Sequence, residues 1–144
     1  MPANCCNPNG RPDGKFKGSV GTVPDGLSKP GLVSELLLSP DLGSSHDIRG
    51  RVWNSIHAGS TFTTLYPPNS TVGDNAMGYC NPLPAAPCGS QSVDGAFVLA
   101  RSKHSGGVNV CLGDGSVRFV RNSVNPAAWL AMGSRNGGEV HTDN

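Results

Sequence analysis

The chain has 144 residues, a formal net charge of +1, and a composition in which Gly (20) and Pro (12) are frequent and charged residues make up only 15%. Its length fits a single domain with one modest core. Because Gly and Pro cost about 1 and 3 kcal/mol in a helix interior, this composition disfavours long helices and favours short strands joined by many turns.

Charge and hydropathy exclude two classes of protein. The 11 Lys and Arg residues are scattered, without a basic run or an interleaved aromatic platform, so no nucleic-acid partner is expected. No stretch approaches the roughly 20 apolar residues that span a membrane. Residues 1–6 lack the positive and apolar regions of a signal peptide, so either export information has been removed from this chain or another export route is used.

Residues 1–31 are dominated by turn dipeptides such as Asn9-Gly10 and Asp25-Gly26. Gly, Asn and Asp tolerate positive φ, so this segment predicts an irregular N-terminal arm. Residues 32–140 predict a β-rich unit. Arm and unit together are expected to form one domain over residues 1–144.

Four segments of the β-rich unit have the composition of strands. Residues 32–38 are almost continuously apolar and predict a buried strand. Residues 47–53 alternate between apolar and polar side chains and predict a half-buried strand, unless Gly50 marks a bulge. Residues 61–66 and 96–101 are rich in β formers and predict two more strands.

The five cysteines indicate whether the chain resides in an oxidising or a reducing compartment. Cys80 and Cys88 bracket a Pro-rich loop within the long polar connection 67–95. In a small Gly- and Pro-rich chain this spacing favours a disulfide, and the alternative is two free thiols in a cytosolic loop. Cys5 and Cys6 are adjacent, so they do not easily bond to each other and could link elsewhere or between chains.

The clearest local signal is a hairpin in the C-terminal third. Residues 108–112 alternate, the turn residues Gly113-Asp114-Gly115 follow, and residues 116–120 return with a second strand. Cys111 lies in the first of these strands and is interpreted as a buried small hydrophobe.

A short helix follows the hairpin. Asn125 suits the N-cap, Pro126 the first helical position and Gly133 the residue after the last turn. Trp129 is expected to pack on the sheet. The predicted fold class is therefore α+β and mainly β, an antiparallel sheet with long irregular loops and one short C-terminal helix.

Several motifs occur together in order along the chain. His104 and Asp114-Gly115 stand in an H-x9-DG spacing, and Ser116-Val-Arg-Phe119 follows. Residues 47–53 (DIRGRVW), 63–69 (TTLYPPN) and 129–140 (WLAMGSRNGGEV) complete the series. Over about residues 25–140 the chain resembles the prepilin-like family, abundant in planctomycetes, that carries the domain of unknown function 1559.

This resemblance implies export, an N-terminal prepilin cleavage and methylation segment, a long hydrophobic helix and a β-rich head of pilin or pseudopilin type. Neither the cleavage motif nor the helix is present in this sequence. The chain is therefore interpreted as the head domain alone, or as a variant that assembles through head-to-head or strand contacts. The expected location is extracellular or at the cell surface.

The signature residues His104 and Asp114 invite comparison with a catalytic base and its orienting carboxylate. The strand between them is roughly 17 Å long at about 3.3 Å per residue, so direct contact is not expected. Asp114 and Gly115 are interpreted as turn residues and His104 as a brace between loops. No Gly-x-Ser-x-Gly element occurs, and no catalytic residue or enzyme activity is expected.

Because pseudopilin-like heads often use loop carboxylates to hold calcium, Asp74, Asp94 and Asp114 are calcium candidates, although no Asp-x-Asp-x-Asp spacing supports them. No other cofactor is indicated by the sequence.

Two hypotheses for function follow. The first is a structural surface protein that forms homo-oligomers or filaments through strand edges. The second is a solute- or glycan-binding module that uses the 67–95 connection and the aromatic residues Trp53, Tyr66 and Tyr79.

Overall fold

The computed structural model describes residues 26–43, 45–53, 58–89 and 95–134. Within them lie one antiparallel sheet with strand order β1-β2-β3 and one helix, as expected for a small α+β fold. Most of the predicted arm lies outside the described residues, as do Cys5 and Cys6. The elements are β1 (Gly31–Ser34), β2 (Gly107–Leu112), β3 (Val117–Arg121) and α1 (Pro126–Met132).

The predicted hairpin is confirmed as β2 and β3. Val108, Val110 and Leu112 point to the core and are at most 1% exposed. At the turn, Gly115 has φ +84°, a conformation that glycine adopts without strain, and its N–H donates to Leu112 O at 3.0 Å. The local alternation and the turn chemistry were therefore sufficient to place both strands.

The predicted helix is confirmed as α1. The Asn125 side chain accepts from Ala127 N at 2.8 Å, and Pro126 occupies the first turn. Trp129 is fully buried, and its indole Nε1 donates to Tyr66 O at 2.7 Å. The core cluster joins Trp129 to the inner face of the hairpin, which confirms the expected packing of helix on sheet. Its members are Ala100, Val108, Val110, Leu112, Val120 and Trp129.

The prediction of a buried strand over 32–38 is wrong in length and in burial. Only Gly31–Ser34 is a strand, and Leu32 and Val33 are 63% and 61% exposed. β1 is a short edge strand that pairs with β2 on one side only, and its register shifts between Gly31 and Val33, so the side chains of Leu32 and Val33 both lie at the rim of the sheet and outside the core. Leu38, at the end of the apolar run, is also exposed.

The predicted strand over 47–53 is also wrong. Asp47, Ile48 and Arg49 are consecutive and all buried, so this segment lacks the alternating exposure of a half-buried strand, and it has no ladder of strand hydrogen bonds. Gly50 then adopts φ +74° and turns the chain. The polar side chains point inward because each finds a charged partner there, and that overrides the alternation of the sequence.

The segments 61–66 and 96–101 contribute isolated bridges instead of strands. Thr63 bridges Leu99 in parallel, and Phe97 bridges Asn75 in antiparallel orientation. Residues 97–101 are buried without interruption, and Ala100 packs in the core cluster with the hairpin and Trp129. Among the described residues, no helix is long and apolar enough to cross a membrane.

Candidate functional site: a buried charge network beside a polar cleft

Four charged side chains meet in the interior of the loop region. Asp47, Arg49, Asp74 and Arg101 have side chains no more than 2% exposed. Arg49 contacts both carboxylates, with Nη2 2.7 Å from Asp47 Oδ2 and Nη1 2.7 Å from Asp74 Oδ2. Arg101 Nη2 lies 3.2 Å from Asp74 Oδ1. The two positive and two negative charges balance, which makes their burial tolerable.

A local turn orients the side chain of Arg49. The Asp47 carboxylate accepts from the backbone N–H of Arg49 at 2.9 Å, so the side chain two residues earlier sets the turn. The Arg49 guanidinium also donates to Ala86 O at 3.0 Å and to Asn81 O at 2.9 Å. Every one of these acceptors compensates for water that the guanidinium loses on burial.

Asp74 and Arg101 link two further segments. Leu99 N donates to Asp74 Oδ1 at 3.0 Å, and Arg101 donates from Nη1 to Ser70 O and from Nη2 to Val72 O, both at 2.6 Å. The network therefore connects segments that have few regular strand contacts of their own.

The ion pairs outweigh the effect of burial on ionisation. Burial raises the pKa of Asp47, but hydrogen bonds from Arg49 and Asn81 bring the pKa of this carboxyl below its ordinary value. Burial likewise lowers the pKa of Arg49, and Asp47 and Asp74 raise it above its ordinary value. Asp47 and Arg49 therefore stay ionised at neutral pH, and this pair acts as structural charge and not as a proton donor.

The predicted disulfide between Cys80 and Cys88 is present, with the two Cα atoms 6.3 Å apart. The ring that it closes contains Asn81 and Ala86, the two residues whose carbonyls accept from Arg49. The cross-link thus fixes part of the shell around the charge network.

The signature residue His104 belongs to a different cluster. His104 Nε2 lies 2.9 Å from Glu35 Oε1, and Glu35 Oε2 accepts from Asn109 N at 2.7 Å. Burial raises the pKa of Glu35, but the hydrogen bonds from Asn109 and His104 bring it below its ordinary value. The histidine thus joins the loop after residue 101 to the segment after β1.

The carboxylates proposed for calcium do not come together in the described residues. Asp114 Oδ1 accepts from Ser116 N at 2.9 Å and from Ser116 Oγ at 2.7 Å, at the tip of the turn. Both oxygens of Asp74 accept from arginines, which disqualifies it as a calcium ligand. Asp94 lies outside the described residues. Within the described ranges, no group of three His, Cys, Asp or Glu side chains could hold a metal ion.

An open cleft of about 310 Å³ lies beside the network. Arg101 contributes to its wall and His104 to its rim, and most of the lining is small and polar. The aromatic residues proposed for glycan stacking do not line it, because Trp53 is 80% exposed elsewhere and Tyr66 packs on Phe97 with ring centroids 6.2 Å apart. The polar lining consists of Asn69, Ser70, Thr71, Ser102 and Asn122.

Sequence reasoning missed the charge network and the role of Glu35. A signal was present, since Arg101 ends an apolar segment in a chain with only 15% charged residues. An arginine in such a setting requires a carboxylate partner. The identity of that partner, Asp74, depended on a fold that the sequence alone does not specify.

Fold and site together define a small disulfide-linked α+β domain whose loops are held by internal ion pairs. Residues 5–127 match the family model described as a protein of unknown function (DUF1559), and the chain belongs to that family. This match confirms the family that the motifs indicated. No curated protein and no solved structure matches the chain.

Proposed function

We propose that this chain is a non-enzymatic structural subunit of pilin or pseudopilin type, which self-assembles into a surface or filamentous structure outside the cytoplasm. The observation that carries the proposal is a sheet whose two outer edges have no strand partner among the described residues. β1 and β3 are both edges of a three-stranded sheet, and each exposes large apolar side chains to solvent. Exposed edges of this kind are templates for pairing with another chain.

The two signature side chains and the buried carboxylates are engaged in structural contacts, which supports the non-enzymatic part of the proposal. His104 contacts Glu35, and Asp114 contacts Ser116. The buried carboxylates are neutralised by Arg49 and Arg101. A catalytic group needs access to a substrate, and these carboxylates have none.

The Cys80–Cys88 disulfide supports a location outside the reducing cytosol. Peptide mapping of protein purified under alkylating, non-reducing conditions tests it. The proposed location predicts one Cys80–Cys88 cross-linked peptide in nearly all molecules, whereas alkylation of both thiols would contradict it.

Negative-stain imaging and sedimentation velocity over a concentration series test the assembly. The proposal predicts regular filaments or discrete oligomers that grow with concentration. A monodisperse monomer at all concentrations would overturn it.

The polar cleft favours a second candidate, a binding module for a small polar solute. Its lining of amides and hydroxyls suits hydrogen bonding to a neutral ligand such as a sugar. A glycan array and calorimetry with its hits test this function. If Asn122→Ala abolishes binding while the protein stays folded and monomeric, ligand binding in the cleft is favoured over self-assembly as the function.

A further inference from the structure

The free edge of β3 has a definite pattern of backbone groups. In an antiparallel pair, residues with N–H and C=O directed at the partner alternate with residues whose groups point away. Two hydrogen bonds bracket β3, from Leu112 N to Ser116 O and from Asn122 N to Gly106 O, each at 2.8 Å. The even-numbered residues of β3 therefore face β2, and the odd-numbered residues face outward.

Three residues carry the outward groups: Val117, Phe119 and Arg121. Among the described residues, only the Arg121 carbonyl has a backbone partner on this side, since it accepts from Val124 N at 3.0 Å. The side chains of Val117 and Phe119 are 64% and 49% exposed. This edge thus combines unpaired backbone groups with exposed β-forming side chains.

We propose that β3 pairs antiparallel with β3 of a second copy, about a two-fold axis at Phe119, to give a continuous six-stranded sheet. This inference rests on the proposed self-assembly and names its contact. At the centre the two Phe119 residues exchange both N–H···O=C bonds. On either side, Arg121 N–H of one copy reaches Val117 C=O of the other, and Val117 N–H reaches the second lone pair of the Arg121 C=O that already accepts from Val124 N. Every outward group that lacks a partner thereby gains one.

The charges on β3 permit a second copy in this register because the arginines are offset from one another. Antiparallel pairing centred on Phe119 sets Arg118 opposite Val120 and Arg121 opposite Val117, so no two arginines face each other. The two Arg118 residues lie on the diagonal, about 7–8 Å apart, where their long side chains can turn away from each other and salt weakens their repulsion. Directly opposed phenylalanine rings add a favourable cross-strand pair.

The two-fold contact leaves the opposite edge of the sheet available. β1 keeps Leu32 and Val33 exposed, so the paired unit can still make a second kind of contact. A closed two-fold dimer is the commonest symmetric assembly, and a filament of such dimers would need that second contact.

The first test removes one hydrogen-bond donor from the free edge. Phe119→Pro deletes an N–H that points away from β2 and leaves the β2–β3 ladder intact. We expect the dimer dissociation constant in sedimentation equilibrium to rise more than ten-fold. Phe119→Thr is the matched control, because it removes the same ring but keeps the N–H, and its dissociation constant should rise less.

The second test is a cross-link that does not depend on the proline variant folding. Phe119→Cys is made with Cys5, Cys6 and Cys111 changed to Ser, and is oxidised with diamide. Paired residues at the two-fold axis have Cα atoms about 5.5 Å apart, within the range of a disulfide. We expect covalent dimers from this variant and none from the matched variant Val52→Cys in the same background, because Val52 is 79% exposed and lies outside the sheet.

The outcomes separate this contact from the proposed function. Assembly that survives Phe119→Pro unchanged, with equal cross-linking at residues 52 and 119, would overturn the β3 contact and leave self-assembly standing. A wild-type chain that stays monomeric would overturn both. If wild-type monomers bind an acidic peptide along β3, the partner of this edge is a peptide and not a second copy, which would contradict the proposal.

Discussion

The C-terminal hairpin and helix, residues 107–132, and the loop region, residues 45–101, are stabilised by different means. The first region buries an apolar face in regular elements, with Trp129 at its centre. The second contains isolated bridges, a disulfide and four buried charges. Where regular structure is scarce, backbone carbonyls need other donors, and the two arginines supply them.

The largest expected loss of stability comes from breaking the charge network. Arg101→Met keeps the apolar length of the side chain but leaves Asp74 with one guanidinium and the Ser70 and Val72 carbonyls without this donor. Removing one partner of a buried ion pair costs about 3–5 kcal/mol, so we expect the free energy of unfolding to fall by that amount. Urea denaturation followed by circular dichroism measures it.

The matched control is Arg51→Met, since Arg51 pairs with Asp41 at the surface, where both side chains are about one-third exposed. Surface pairs contribute little, and we expect no measurable loss. Equal losses for Arg101→Met and Arg51→Met would contradict a special role for the buried network.

The next effect concerns the disulfide of the loop region. Cys80→Ser with Cys88→Ser opens a small ring, and the chain-entropy relation gives a loss of about 2–3 kcal/mol. Thermal unfolding with and without dithiothreitol measures it in the wild type, and the double variant should be insensitive to the reductant. A wild-type midpoint that dithiothreitol leaves unchanged would show that the cross-link contributes nothing.

A smaller effect is expected in the regular region. Asn125→Ala removes the side-chain acceptor for Ala127 N at the start of α1, and the loss of an N-cap costs about 1 kcal/mol. Asn125→Asp preserves the acceptor and serves as control. If both variants unfold at the same denaturant concentration as the wild type, the cap does not stabilise this helix.

The smallest effect is on ionisation. His104→Ala removes one hydrogen bond to Glu35, so we expect the pKa of Glu35 to rise towards its ordinary value. Because the folded-state pKa of Glu35 is lowered, its contribution to stability is present above the unfolded value and is lost as pH falls through the folded pKa. His104→Ala should therefore lose only the part of the free energy of unfolding that comes from the lowered pKa of Glu35. Carboxyl NMR titration measures it, and Asp114, which is held by Ser116, should titrate unchanged.

The sequence was informative where the determinants are local. The alternation of residues 108–112, the Asp114-Gly115 turn and the Asn125-Pro126 start of α1 each depend on neighbours within a few residues, and all three predictions are confirmed. The disulfide prediction is confirmed for the same reason, because only a short loop separates its cysteines.

The prediction was wrong where partners are distant in sequence. Residues 47–53 have the alternation of a strand, but Arg49 pairs with Asp74, 25 residues away, and that contact decides the backbone. Leu32 and Val33 have a core-like composition, but the sheet order leaves them at an edge. Neither sheet order nor ion-pair partners can be obtained from periodicity, which reports only on near neighbours.

The ring closed by Cys80 and Cys88 has a consequence for when the domain can become complete. The two carbonyls that receive Arg49 lie inside this ring, one directly after its first cysteine and one two residues before its second. In a reducing compartment the ring is open, and the guanidinium must enter the interior with these acceptors still free to move away. A closed ring holds both acceptors in place, so the chain loses less conformational entropy when the loops order around Arg49, and the domain is completed more readily once Cys80 and Cys88 are cross-linked.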